Sequence, residues 1–308
     1  MKSEEFDSII FDCDGVLIDV TKSYDTTINK TISYVLKEIA DITVDTPLTN
    51  ELLLSFKSTG GFNDEIDITY SGILCFIAAK KLNKNPTELI SDVINNADDS
   101  GIAYIENFLN KIDVDISDVK SRLDYPSADK NDLIHSTFDQ LFFGPGLYSK
   151  IFQKESKFSE KGFIENDNVI VDSELIEALK KKFNDKIAIV TGRGFNAISS
   201  SLKEILNQFN VESSVFLEDE SRNLAKPNPQ SLIRAMKGLN SKNCLYVGDS
   251  MEDMILVQKA SESGFQTTFC GIYGSGKLPE VKKKMFVEKN VPFILESINF
   301  LPKALNLV

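Results

Sequence analysis

Histidine and cysteine are scarce in this 308-residue chain, which has one histidine, His135, and four cysteines, Cys13, Cys75, Cys244 and Cys270. No two cysteines form a CxxC pair and one histidine cannot complete the usual zinc spacing, which speaks against a structural zinc site. Long apolar runs are also missing. The longest, Ile68 to Ala79, is interrupted by Thr69, Tyr70, Ser71 and Gly72 and falls short of the ~20 residues of a membrane helix, so no membrane partner is expected. The first residues carry Lys2, Glu4 and Glu5 ahead of a short apolar strand and lack the apolar core of a secretory signal. The expected location is therefore cytoplasmic, with reduced thiols. Cationic side chains are in deficit, 34 against 46 acidic ones, for a net charge of −12. A polyanion would approach against that field, and nucleic acid is not an expected partner. A small phosphorylated ligand is compatible, because a few local cations, backbone N–H groups or a metal ion can outweigh net charge inside a cleft. Internal repeats and low-complexity segments are absent.

Hydrophobic residues at 42% and charged residues at 26% are ordinary for a globular protein, and the length suggests about two domains at ~150 residues each. Three short apolar runs of strand type end abruptly in polar residues: Ser8 to Phe11 at Asp12-Cys13-Asp14-Gly15, Lys186 to Val190 at Thr191-Gly192-Arg193-Gly194, and Cys244 to Val247 at Gly248-Asp249-Ser250. Helical periodicity follows over Ser173 to Phe183, Asn196 to Phe209 and Glu252 to Ser263. Alternating strands and helices predict an α/β fold, a doubly wound parallel sheet, whose ligands bind beyond the carboxyl ends of the strands, where all three polar clusters fall. Between about residues 19 and 163 the pattern becomes helical, over Tyr24 to Ile39, Leu48 to Phe56, Thr69 to Leu82, Pro86 to Ala97 and Ala103 to Ile112. This predicts an inserted α-helical domain at 19–163 within a core of 1–18 and 164–308. Turn-rich breaks interrupt it at Gly60 to Asp64 and at Phe143-Gly144-Pro145-Gly146.

Asp12 and Asp14 stand two apart, so continued strand geometry would point both carboxylates to one side. Asp249 and Asp253 would bring the carboxylates to four, and each close pair repels by about 3 kcal/mol at ~5 Å and an effective dielectric of ~20. Such a cluster calls for a cation, and oxygen ligands that leave room for water and phosphate suit Mg²⁺. A carboxylate can also attack phosphorus, dividing hydrolysis into two easier transfers. Asp14 is the nearest acid/base, Lys226 in Ala-Lys-Pro-Asn-Pro offers a directed positive charge, and Thr191 with Gly192 offers a hydroxyl and backbone N–H groups.

The ordered set Asp12-Cys13-Asp14-Gly15-Val16-Leu17, Thr191-Gly192-Arg193, Lys226-Pro227 and Gly248-Asp249-Ser250-Met251-Glu252-Asp253 resembles the four motifs of the haloacid dehalogenase (HAD) superfamily. The helical insertion after the first motif looks like the C1-type cap of its subfamily IA, the phosphoglycolate phosphatase/β-phosphoglucomutase branch. The resemblance implies a HAD-like Rossmannoid core, Asp12 as nucleophile and Asp14 as general acid/base with its backbone carbonyl also reaching Mg²⁺. It implies Thr191, Gly192 and Lys226 as phosphoryl-binding residues, Asp249 as a direct metal ligand and Asp253 acting directly or through a neighbour. Cys13 would contribute its backbone N–H. Lys57, Thr59, Asn63 and Asp64, around the Gly60-Gly61 turn, are the expected specificity residues of the cap. Two departures stand out: Thr191-Gly192-Arg193 replaces the commoner Ser-Asn pattern, and an insertion of about 145 residues is large.

The activity expected is Mg²⁺-dependent hydrolysis of a small phosphorylated metabolite through an aspartyl-phosphate. A phosphomutase, or a non-catalytic phospho-ligand binder on the same fold, is the alternative. Other features have plainer readings. Gly271 to Leu278 nearly matches a nucleotide phosphate loop, but Leu278 replaces the metal-binding hydroxyl, so a glycine-rich turn bordering the cleft is expected. The lysine runs 180–182 and 282–284 read as solvated helix faces, Phe62 as insertion core, and His135 as a non-catalytic residue with no evident partner.

Overall fold

The computed structural model describes residues 6–59, 61–62, 64–98, 100–127, 131–276 and 279–307. Among the positions named above, Lys2, Glu4, Glu5, Gly60, Asn63, Lys277 and Leu278 lie outside the described residues. The chain forms two compact units, Met1–Thr21 with Asp167–Val308, and Lys22–Asn166.

The first unit is built on strands β1 (Ser8–Phe11), β2 (Ile18–Asp19), β3 (Asn168–Val169), β4 (Ile187–Thr191), β5 (Val215–Phe216), β6 (Asn243–Gly248), β7 (Gln266–Ile272) and β8 (Phe293–Leu295). Six of them form a sheet in the order β5-β4-β1-β6-β7-β8 with every neighbouring pair parallel. Every residue of β1 and β4 is buried, as continuous apolar runs must be when a parallel sheet is covered on both faces. The chain builds outward from β1 through β4 to β5 and then returns to the other side of β1 with β6. The strand order therefore reverses next to β1, and a crevice opens at such a switch point. β2 and β3 form a separate antiparallel pair, Ile18 opposite Val169.

The second unit is helical: α1 (Tyr24–Ala40), α2 (Asn50–Ser58), α3 (Glu65–Leu82), α4 (Pro86–Asn95), α5 (Ile102–Lys111), α6 (Ser117–Leu123) and α7 (Leu133–Phe152). α3 is buried along most of its length and packs against α1, α4, α5 and α7. Phe62 is fully buried, edge-on to Phe56 at 5.1 Å. The expected break at Gly144 is present, where φ of 68° and ψ of 169° divide α7 into two pieces. His135 is not without a partner: its Nδ1 lies 2.6 Å from Oδ2 of Asp132, the residue that caps α7. The spacing i, i+3 around a helix start brings these two together, a link that a reading of adjacent residues misses.

The sheet is flanked by α8 (Ser173–Phe183), α9 (Phe195–Leu202), α10 (Gln230–Gly238), α11 (Met251–Glu262), α12 (Pro279–Glu288) and the short α13 (Leu301–Ala304). α8 buries Leu175, Ile176, Leu179 and Phe183 against one sheet face, worth about 1.5–3 kcal/mol for each fully buried side chain. On the opposite face, Leu232, Met236, Leu256 and Phe286 pack with Ile10, Val190 and Tyr246. The helix expected to run to Phe209 ends at Leu202 and continues as a 3₁₀ turn, Lys203–Gln208. Ser201 Oγ donates to the carbonyl of Ala197 and to Asp167, the kind of side-chain bonding that competes with helix continuation. No helix among the described residues is long and apolar enough to cross a membrane.

Candidate active site

Asp12 ends β1 with its N–H donating to Val247 O of β6 at 2.9 Å, so its carboxylate emerges at the switch point. The next turn is tight. The Cys13 carbonyl accepts from the N–H groups of Val16, Leu17 and Ile18 at 3.1, 2.8 and 3.0 Å, and Gly15 N–H donates to Ile18 O at 2.8 Å. Gly15 has φ of +73°, and a Cβ there would fall 2.0 Å from Asp249 Oδ2. A side chain there would be strained and would have to push the Asp249 carboxylate aside. The Cys13 thiol is fully buried, and burial together with Asp12 and Asp14 pushes its ionisation far up, so it is inert. All four cysteines are buried and free.

β4 delivers Thr191, whose fully buried Oγ1 accepts from Arg193 N–H at 3.3 Å. Gly192 is exposed, with open space where a side chain would stand. The following N–H groups are already used: Gly194 donates to Glu218 at 3.0 Å and Phe195 to Asp219 at 2.7 Å. Arg193, noted in the sequence only as a departure, is 2% exposed. Its Nε lies 2.8 Å from Asp14 Oδ1 and one terminal nitrogen lies 2.6 Å from Asp167 Oδ2.

Lys226 reaches the same place from the loop before α10. Its Nζ lies 2.9 Å from Asp12 Oδ1 and 2.7 Å from Asp253 Oδ1, with the side chain 6% exposed. Asp253 is an anchor for the whole cluster. Its Oδ1 meets Lys226 and the Tyr246 hydroxyl at 3.0 Å, while Oδ2 accepts from the N–H groups of Asp249 and Ser250 and from Ser250 Oγ. Ser250 accepts in return from Asp253 N–H, completing a capping box at the start of α11.

Burial dominates the ionisation of Asp12. Despite Lys226, burial with the nearby Asp253, Asp14 and Asp249 charges pushes it well above the usual carboxylate range. Asp253 goes the other way: burial opposes its charge, but Lys226, Ser250 and Tyr246 outweigh it and hold it below 3.8. Burial alone would strip Lys226 of its proton, yet Asp12 and Asp253 keep it charged well above the ordinary lysine range.

Asp12, Asp249 and Asp253 each offer an oxygen within 4.8 Å of the others. The structure gathers these three of the four expected metal residues. Asp14 is expected to reach the metal through its backbone carbonyl; its carboxylate does not join the other three as continued strand geometry would have it, but is paired with Arg193. The all-oxygen donor set and the suppressed ionisation of Asp12 fit a hard divalent cation, which would draw the proton from that carboxylate. A second correction concerns Lys282 of α12, expected on a solvated face. Its Nζ lies 2.6 Å from Asp249 Oδ2 and 3.3 Å from Ser275 O, and Ser275 Oγ donates to Gly15 O. The helix bearing it starts close to the glycine-rich turn, a proximity that periodicity within the helix does not reveal.

In the helical unit, Lys57 pairs with Glu65 at 3.1 Å, Thr59 Oγ1 donates to Phe56 O at 2.9 Å, and Asp64 caps α3 by accepting from Ile66 N–H at 2.8 Å.

Residues 150–260 match the family model for a haloacid dehalogenase-like hydrolase. No curated protein matches the chain at a significant level. Among solved structures, phosphatase Tt82 from Thermococcus thioreducens is similar with a TM-score of 0.61 and 22% identity, covering 87% of this chain and 94% of that one. A predicted phosphoglycolate phosphatase from Haemophilus somnus 129PT gives a TM-score of 0.54 and 16% identity, covering 97% and 98%. The core carries the haloacid dehalogenase-like fold. The matched segment holds Thr191, Lys226, Asp249 and Asp253, while Asp12 and Asp14 lie outside it on β1 and its loop. The sheet of this haloacid dehalogenase-like core reunites them, since β1 sits between β4 and β6.

Proposed function

We propose that the chain is a Mg²⁺-dependent phosphatase that hydrolyses a small phosphorylated metabolite through an aspartyl-phosphate on Asp12. The observation that carries this reading is the buried contact of Lys226 with Asp12 at 2.9 Å, beside carboxylates of Asp249 and Asp253 that converge with Asp12 within 4.8 Å. Asp12 and Asp249 would hold the metal, with the Asp14 backbone carbonyl as the family resemblance implies, and Asp253 bracing the set through Lys226 and Ser250. When bound, Mg²⁺ supplies positive charge to the transferring phosphoryl group.

Ionised Asp12 attacks phosphorus in line as the ester P–O bond breaks. Lys226 neutralises charge on the phosphoryl oxygens, with the Thr191 hydroxyl and Gly192 N–H as further donors. Asp14 gives its proton to the departing alkoxide oxygen and then takes one from the water that attacks the aspartyl-phosphate. Inorganic phosphate leaves and Asp12 is restored. The Arg193 contact fixes the direction of the Asp14 side chain. The helical unit, residues 22–166, is assigned as the substrate-selecting cap, supported by its insertion directly after the first motif. A reducing cytoplasmic location is supported by the four buried free thiols.

The test is phosphate release from a panel of phosphorylated metabolites with and without Mg²⁺, for the wild type and Asp12→Asn. Metal-dependent release that falls at least about a thousandfold in Asp12→Asn is expected. Release that survives the substitution contradicts the reading, and isomerised product in place of free phosphate would indicate a mutase.

A further inference from the structure

Each acidic side chain of the cluster is paired with a cation. Lys226 serves Asp12 and Asp253, Arg193 serves Asp14 and Asp167, and Lys282 serves Asp249. The first two cations are buried and each bridges two carboxylates, so they are fixed parts of the core. Lys282 is different. Its side chain is 23% exposed, it contacts one carboxylate oxygen, and the Ser275 carbonyl at 3.3 Å offers its ammonium a neighbouring seat. Asp249 Oδ2 stands close to where a side chain of Gly15 would be and accepts from this ammonium at 2.6 Å. A divalent cation that takes Asp249 has to share or displace that charge, and like charges on one carboxylate oppose each other.

We propose that Lys282 sets the cation affinity of the site by competing for Asp249. The inference rests on the reading of Asp249 as a metal ligand. Lys282 belongs to none of the four motifs and is a positioning residue, acting on the metal through Asp249. By holding down the charge of Asp249, it makes a divalent cation bind more weakly to the free protein than three converging carboxylates would dictate. The phosphate dianion of a substrate then supplies negative charge that the protein withholds, so cation and substrate favour each other's binding.

The test is calorimetric titration of the full chain with Mg²⁺, cross-checked by Mn²⁺ binding in electron paramagnetic resonance, for the wild type, Lys282→Met, Lys282→Gln, Lys282→Arg and Asp249→Asn. Circular dichroism verifies that each is folded. Lys282→Met and Lys282→Gln are expected to bind Mg²⁺ about tenfold tighter, the size of effect that neighbours of metal ligands carry. Lys282→Arg should stay within about twofold of wild type, and Asp249→Asn should lose binding. If Asp249→Asn loses binding but the neutral variants bind no tighter than wild type, the competition is overturned. If Asp249→Asn binds as wild type does, the ligand reading itself fails and the inference with it.

Discussion

Lys226 shows how much one side chain holds in place. It stands between two carboxylates in a site too buried for water to screen, so removing it leaves Asp12 and Asp253 without their shared cation. Lys226→Met is expected to abolish activity and to destabilise the fold by about 3–5 kcal/mol, read as a lower urea midpoint with unchanged slope. Gly15→Ala should lower activity and cost about 1–3 kcal/mol of stability, since its φ of +73° disfavours any side chain and its Cβ would push the Asp249 carboxylate aside. An active, stable Gly15→Ala protein would contradict the close packing of the first motif on the fourth. At this scale the sequence was legible where types and order were diagnostic: Asp12, Lys226, Asp249 and Asp253 meet in the structure. It was not legible for Arg193 and Lys282, whose partners lie far away in the chain and depend on side-chain direction.

Among the elements, α7 carries its own pH dependence. Asp132 caps the helix by accepting from Ile134 and His135 N–H groups and also pairs with the His135 ring. Burial opposes its charge, but bonds from His135 and Ser127 prevail and hold it below 3.8. Because the folded value is depressed, its stabilisation is complete above about pH 4 and is lost as pH falls through the folded value. Asp132→Ala should cost about 1–3 kcal/mol at neutral pH, with a gap to wild type that narrows below pH 4 in chemical unfolding. A gap independent of pH would contradict the ionised cap. The strands that end in polar clusters were readable because β1, β4 and β6 are continuous apolar runs. β5 and β8 are two and three residues long and β7 opens on polar residues, so their pairing is set by the sheet rather than by local pattern.

For the whole molecule, the proposed division of labour is chemistry in the sheet unit and selection in the helical unit. Lys57, Thr59, Asn63 and Asp64 are the proposed selecting residues, and Lys57 tests the idea with the least damage, since its ion pair with Glu65 is partly exposed. Lys57→Ala should change the ratio of kcat/KM between good and poor substrates several-fold while leaving metal dependence intact; an unchanged ratio would remove Lys57 from that role. The substrate was not legible in the sequence, because the core motifs report the phosphoryl group alone and the rest of the ligand meets residues with no fixed pattern. The proposed bond between Asp12 and phosphorus is tested most directly by borohydride trapping during turnover followed by peptide mass spectrometry. Reduction of an acyl-phosphate at this position yields a peptide with homoserine in place of Asp12, and that peptide is expected only when substrate and Mg²⁺ are both present. Sustained phosphate release with Asp12 unmodified would contradict the account.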